Sequence, residues 1–174
     1  MLKNFLYLSL LAILDNCGCG GVMNDIIDYT IYNDSENTIS VYIADGTEYN
    51  PSAYPDTILP CDRQVGFPPK YISEVLKERS ISPHKPIHII STYNQESSHE
   101  KKLYFDTLSV FILSFDTLKK YGYEDVRVHN RIMVRYDLSY DEVRDMNWTF
   151  YYPPREFMKD MKMYPPYSEI MKKE

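Results

Sequence analysis

Cysteine is scarce in this chain: there are three, and two of them, Cys17 and Cys19, stand close to the N-terminus. Once the segment ahead of Cys19 is removed and Cys19 itself is modified, Cys61 is the one unmodified thiol. A single thiol cannot close an internal disulfide, so the fold must rest on an apolar core. Cys61 itself reads as a small buried hydrophobe rather than a nucleophile. Histidine is limited to His84, His88, His99 and His129. His84 and His88 have i, i+4 spacing, but Pro86 between them forbids the helix that would turn both toward one metal. No glycine-rich phosphate loop, no G-x-S-x-G elbow and no recognisable Cys/His pair occurs. No catalytic, metal or cofactor site is therefore expected. Lys and Arg are nowhere concentrated and the net charge is −6, which disfavours nucleic acid as a partner. The one long apolar run, Phe5 to Leu14, falls short of the roughly 20 residues a membrane-spanning helix needs.

That run has another meaning. Lys3 precedes it, and small and polar residues follow it directly from Asp15 to Gly21, the pattern of a secretory signal. The alternation Cys17-Gly18-Cys19-Gly20 suggests the lipoprotein variety, in which a peptidase cuts before a cysteine carrying diacylglycerol. Cys19 has small Gly18 before it, whereas Cys17 follows Asp15 and Asn16, so Cys19 is favoured and Cys17 is the alternative. Cleavage near Gly20 without lipid is the bland reading. The expected organisation is a signal over residues 1–18, a short tether over 19–28, one domain over 29–154 and a loosely docked extension over 155–174.

Within the domain, residues 29–33 and 38–44 are β-branched and aromatic with near period-2 alternation. The turn-forming residues 34–37 between them predict a hairpin. Residues 63–67 suggest a short strand, residues 71–79 an amphipathic helix and residues 86–93 a strand. The run 108–114 is apolar enough for a central strand. Asp116 is expected to open a short helix ended by Gly122, and Glu124 with Asp125 looks like a solvated loop. Residues 131–138 alternate, with Ile132, Val134, Tyr136 and Leu138 on one face. Ser139 and Glu142 form a capping box, and residues 148–152 make a final strand. Together these predict an α+β fold with a largely antiparallel sheet, or a β-sandwich with short helical insertions. After Pro154 the run Tyr152-Pro-Pro-Arg-Glu-Phe-Met-Lys returns loosely as Tyr164-Pro-Pro-Tyr-Ser-Glu-Ile-Met-Lys.

Tyrosine is abundant, 17 against a single Trp, which suits half-buried strands and also carbohydrate surfaces. Asp-Thr-aliphatic recurs at Asp56-Thr57-Ile58, Asp106-Thr107-Leu108 and Asp116-Thr117-Leu118. Turn formation and capping explain such pairs singly.

The stretches IYNDSENTISVYI (31–43), YPDT (54–57), RYDLS (135–139) and NWTFYYPP (147–154) resemble a group of small uncharacterised lipoproteins of Bacteroidetes. The likeness covers most of residues 29–154, and the last two motifs are its most specific part. It implies export, lipidation at the outer membrane facing the periplasm or the cell surface, and O-glycosylation at Thr57, Thr107 and Thr117. It supplies no activity. The expected role is non-enzymatic binding or structure in the cell envelope, with the membrane as partner through an N-terminal lipid and with a protein or glycan partner unspecified. The rivals are a carbohydrate-binding module using exposed Tyr and Trp148, and a hydrolase of unrecognised type.

Overall fold

The computed structural model describes residues 25–44, 59, 71–93 and 107–172. Cys17, Cys19, Thr57, Cys61, His99 and the strand expected over 63–67 lie outside them. Among the described residues fourteen short elements follow one another: β1 (Asp25–Asn33), β2 (Ile39–Ala44), α1 (Tyr71–Glu78), β3 (Ser80–Ile81), β4 (Lys85–Tyr93), β5 (Leu108–Ser114), α2 (Phe115–Tyr121), α3 (Tyr123–Val128), β6 (Val134–Leu138), α4 (Tyr140–Asp145), β7 (Thr149–Tyr152), a 3-10 turn (Glu156–Met158), β8 (Met163–Tyr164) and α5 (Tyr167–Ile170). The fold is α+β, with two mostly antiparallel sheets of order β4-β1-β7 and β3-β2-β5-β6-β8.

The two sheets face each other across one core. Tyr29 and Ile31 of β1 and Phe150 of β7 meet Ile39 and Val41 of β2, Val110 of β5 and Tyr136 of β6, all buried. Period-2 alternation sends these residues to one side. On the five-stranded sheet the other side is buried as well. There Tyr42, Phe111 and Leu113 pack under Leu76 of α1 and Tyr123 and Val126 of α3. The molecule therefore has three layers: a small sheet open on its outer face, a larger sheet, and helices over the larger sheet.

Residues 29–33 and 38–44 do not form the hairpin their turn residues suggest. β1 pairs with β4 and β7, while β2 pairs with β3 and β5. All six residues of β2 are buried, so β2 sits in the sheet that is covered on both faces. Asp34 to Thr38 is a crossover between sheets, and Asn33 holds it. The wholly buried Asn33 amide donates to the carbonyls of Asn37 (2.7 Å) and Ile81 (2.9 Å) and accepts from the Ser35 hydroxyl (2.7 Å).

Other local differences have equally specific causes. α2 is capped by Ser114, whose hydroxyl accepts from the Thr117 N–H, rather than by Asp116. Glu124 and Asp125 lie in α3, not in a loop; Tyr123 and Val126 of that helix anchor it to the sheet. Gly122, at φ 80, joins α2 to α3 in a region that favours glycine.

The Ser139–Glu142 capping box is present, with the Ser139 N–H donating to Glu142 Oε2 at 2.7 Å. Removing the cap by Ser139→Ala is expected to cost about 1 kcal/mol, seen as a lower midpoint in urea unfolding with an unchanged slope.

Both ends of the domain differ from expectation. β1 starts at Asp25, inside the segment read as tether. The segment after Pro154 is built in rather than loosely docked: β8 pairs with β6, and Met158 and Ile170 enter the main core.

Candidate functional site

Strand direction defines two poles. β1 runs from Asp25 at one pole to Asn33 at the other. Asn33 pairs with Lys85, where β4 begins, and with Tyr152, where β7 ends. The crossover brings Ile39 to the same far pole, together with Ser114 at the end of β5. An open cleft of about 650 Å³ lies here, lined among the described residues by Asp34 to Asn37, Ile132, Met133, Tyr152, Pro153, Pro165 and Ile170.

The imperfect sequence repeat converges on this cleft. Its two copies begin with Tyr152-Pro153 and Tyr164-Pro165, both cis, and both Pro153 and Pro165 are in the lining. The chain thus uses the same tripeptide, Tyr-Pro-Pro, to turn away from β7 and from β8 at one edge of the molecule. Arg155, the fourth residue of the first copy, pairs with Asp34 on the crossover at 2.9 Å. The cleft walls are therefore tied together by an ion pair on one side and by the Asn33 hydrogen bonds beneath. The lining joins an apolar patch of proline, Met and Ile to a wall carrying Asp34 and Glu36. That mixture offers both apolar and acidic surface to a ligand.

The open face of the small sheet carries aromatic residues. Tyr32 and Tyr151, opposite each other in the β1–β7 register, stack at 5.3 Å and 12°. Tyr151 also meets the edge of Phe157 and, at 3.7 Å, the Arg155 guanidinium. These rings face one another rather than lying side by side as the flat platform a sugar would stack on. Trp148 is half-buried, with its ring edge-on to Tyr29 and Tyr140. It precedes β7 in a left-handed turn with Asn147, an outlying conformation for a bulky residue. Its carbonyl accepts from the Thr30 N–H at 2.9 Å, which starts the parallel ladder of β7 on β1.

The three described histidines take surface contacts. His84 sits at φ 56 in the turn before β4 and faces Glu36, and His129 faces Asp125. His88 lies on β4 near Asp28 (3.4 Å) and Thr30 (3.3 Å), but both approach the same nitrogen, Nδ1. A hydrolytic relay needs the acid and the nucleophile on opposite ring nitrogens. Among the described residues no three His, Cys, Asp or Glu side chains are grouped to hold a metal ion. No helix there is long and apolar enough to cross a membrane.

Of the expected modification sites, Thr107 and Thr117 are described, and both are half-buried. Thr107 immediately precedes β5, and Thr117 lies in the first turn of α2, its N–H engaged by Ser114.

A buried ionic group on β6 had no signal in the sequence beyond alternation. Arg135 and Asp137 occupy the helix-facing side of the larger sheet with side chains 5% and 1% exposed. Arg135 Nη2 is 2.8 Å from Asp137 Oδ2, and the Ser109 hydroxyl donates to Asp137 Oδ1 at 2.9 Å. Arg135 Nε and Nη1 are buried without hydrogen-bond partners. Comparison with known proteins finds no matching family, no matching curated protein and no matching solved structure.

Proposed function

We propose that this is an exported, lipid-anchored cell-envelope protein with a non-enzymatic binding role, held at the outer membrane through Cys19. The observation that supports this reading is the polarity of the sandwich. β1 begins at Asp25, a few residues beyond Cys19, so a lipid at that cysteine holds the near pole close to the bilayer. The cleft of about 650 Å³ then opens at the opposite pole, away from the membrane. A partner, protein or glycan, reaches that cleft without competing with the lipid surface. The Asp-Thr-aliphatic sites Thr57, Thr107 and Thr117 are acceptors for O-linked sugar under the same reading.

Metabolic labelling with palmitate tests the anchor. Cys19→Ala is expected to abolish labelling and release the protein from membranes. Labelling that survives in Cys19→Ala but disappears in Cys17→Ala moves the anchor to Cys17, and survival in the double variant ends the lipid reading. Intact mass from the native host tests the glycans: a mass equal to polypeptide plus lipid leaves the three triplets as turns and caps.

A further inference from the structure

On the helical side of the larger sheet, α1 and α2 stand apart over β2 and leave a cavity of about 320 Å³ that shares no lining residue with the end cleft among the described residues. Each helix contributes an adjacent Leu-Lys pair, Leu76-Lys77 and Leu118-Lys119. Both lysines are exposed, Leu76 is buried and Leu118 is half-buried. Among the described residues Phe115 and Tyr123 add to the apolar wall, Ser73 of α1 joins the lining, and Ser40 of β2 lies in it beneath. Ser40 is wholly buried, and its hydroxyl has no hydrogen-bond partner. Neither lysine forms an ion pair among the described residues.

Three chemistries are thus stacked in order: cations at the mouth, an aromatic and aliphatic sleeve, and an unpaired hydroxyl at the floor. A polar group sealed away without a partner is costly, and pockets that bind small molecules are mainly apolar with a few placed polar groups. At the ~30 Å³ that a water occupies in the liquid, a cavity of about 320 Å³ has room for roughly ten non-hydrogen atoms. We infer that this cavity is a binding site for a small amphipathic carboxylate. Its anionic end sits between Lys77 and Lys119, its aryl or alkyl body lies against Phe115 and Leu118, and one hydrogen-bonding atom reaches Ser40. The site is independent of the anchor and of the end cleft, and stands or falls without them.

Equilibrium dialysis of the full chain in neutral-detergent micelles, with protein-free micelles subtracted, tests the assignment with three probes. They are 3-(4-hydroxyphenyl)propanoate, 3-phenylpropanoate and 2-(4-hydroxyphenyl)ethylamine. The hydroxylated acid is expected to bind best, with the plain acid weaker by roughly threefold to tenfold, the worth of one hydrogen bond. The amine, repelled by the lysines, is expected not to bind. Ser40→Ala should bring the two acids to equal affinity. Lys77→Gln with Lys119→Gln should weaken both acids about tenfold while keeping their order. The lysine variant changes only exposed side chains, so it reads the site even if Ser40→Ala disturbs the sheet. The assignment is overturned if neither acid binds, if the amine binds as well as the acids, if the lysine variant leaves acid binding unchanged, or if the hydroxyl preference persists in Ser40→Ala.

Discussion

Arg135→Met is expected to lower stability by about 3–5 kcal/mol, while Arg135→Met combined with Asp137→Leu returns it to the parent value or above. The single substitution leaves the Asp137 carboxylate, 1% exposed in its side chain, with only the Ser109 hydroxyl bond at Oδ1. A carboxylate stripped of its counter-ion in a sealed layer has neither water nor cation to offset its desolvation. The double substitution removes both charges and fills the space with apolar atoms. It also removes the two Arg135 nitrogens, Nε and Nη1, that have no hydrogen-bond partner. Phe111, directly opposite Arg135 in the β5–β6 register and wholly buried, offers the apolar surface against which Met would pack. Equilibrium urea unfolding of the two variants and the parent measures the pair. A single variant as stable as the parent would mean that solvent reaches the carboxylate, and the sealed layer over β6 would have to be redrawn.

Phe150→Ala is expected to be as damaging, about 3–5 kcal/mol, while Tyr151→Ala one residue on costs no more than about 1–1.5 kcal/mol. Phe150 is wholly buried between the sheets beside Tyr29, ring centroids 6.3 Å apart. Truncation leaves a void lined by β-branched and aromatic groups on two rigid sheets, which cannot easily close over it. Tyr151 points the other way, to the open face, where it loses its stack with Tyr32 and its contact with Arg155. Calorimetric melting of both variants checks the contrast. Equal losses would contradict the strand facing on which the core assignment depends.

The strands were largely readable because each carries its own alternation, and the capped helix because Ser139 and Glu142 are three residues apart. Partners were not readable. Residues 34–37 serve a hairpin and a crossover equally well, and the deciding interaction, Asn33 with the carbonyl of Ile81, spans a sequence distance that no local pattern encodes. The six residues of α3 are too few to display helical periodicity. After Pro154, Met158 and Ile170 each belong to a two-residue apolar pair, Phe157-Met158 and Ile170-Met171, too short for any periodicity to show which member is buried, so their burial depends on cavities formed by distant strands. On β6 the alternation holds for Val134, Tyr136 and Leu138 but not for Ile132, which lies before the strand and packs with the other cluster; Arg135 and Asp137, which alternate with them, are nonetheless buried. The candidate cleft was half visible. The repeated Tyr-Pro-Pro was apparent, but the meeting of its two copies at one pole follows from β7 lying beside β1 and β8 beside β6.

The position of β1 has a mechanical consequence. It is the middle strand of its sheet, bonded along its whole length to β4 on one side and over four register positions to β7 on the other. A pull applied at Asp25 and resisted at the far pole runs along the strand axis. All those backbone bonds then bear the load together in shear, instead of opening one after another like a zipper. A chain held at the N-terminal end of β1 therefore resists a pull along that axis with two ladders at once.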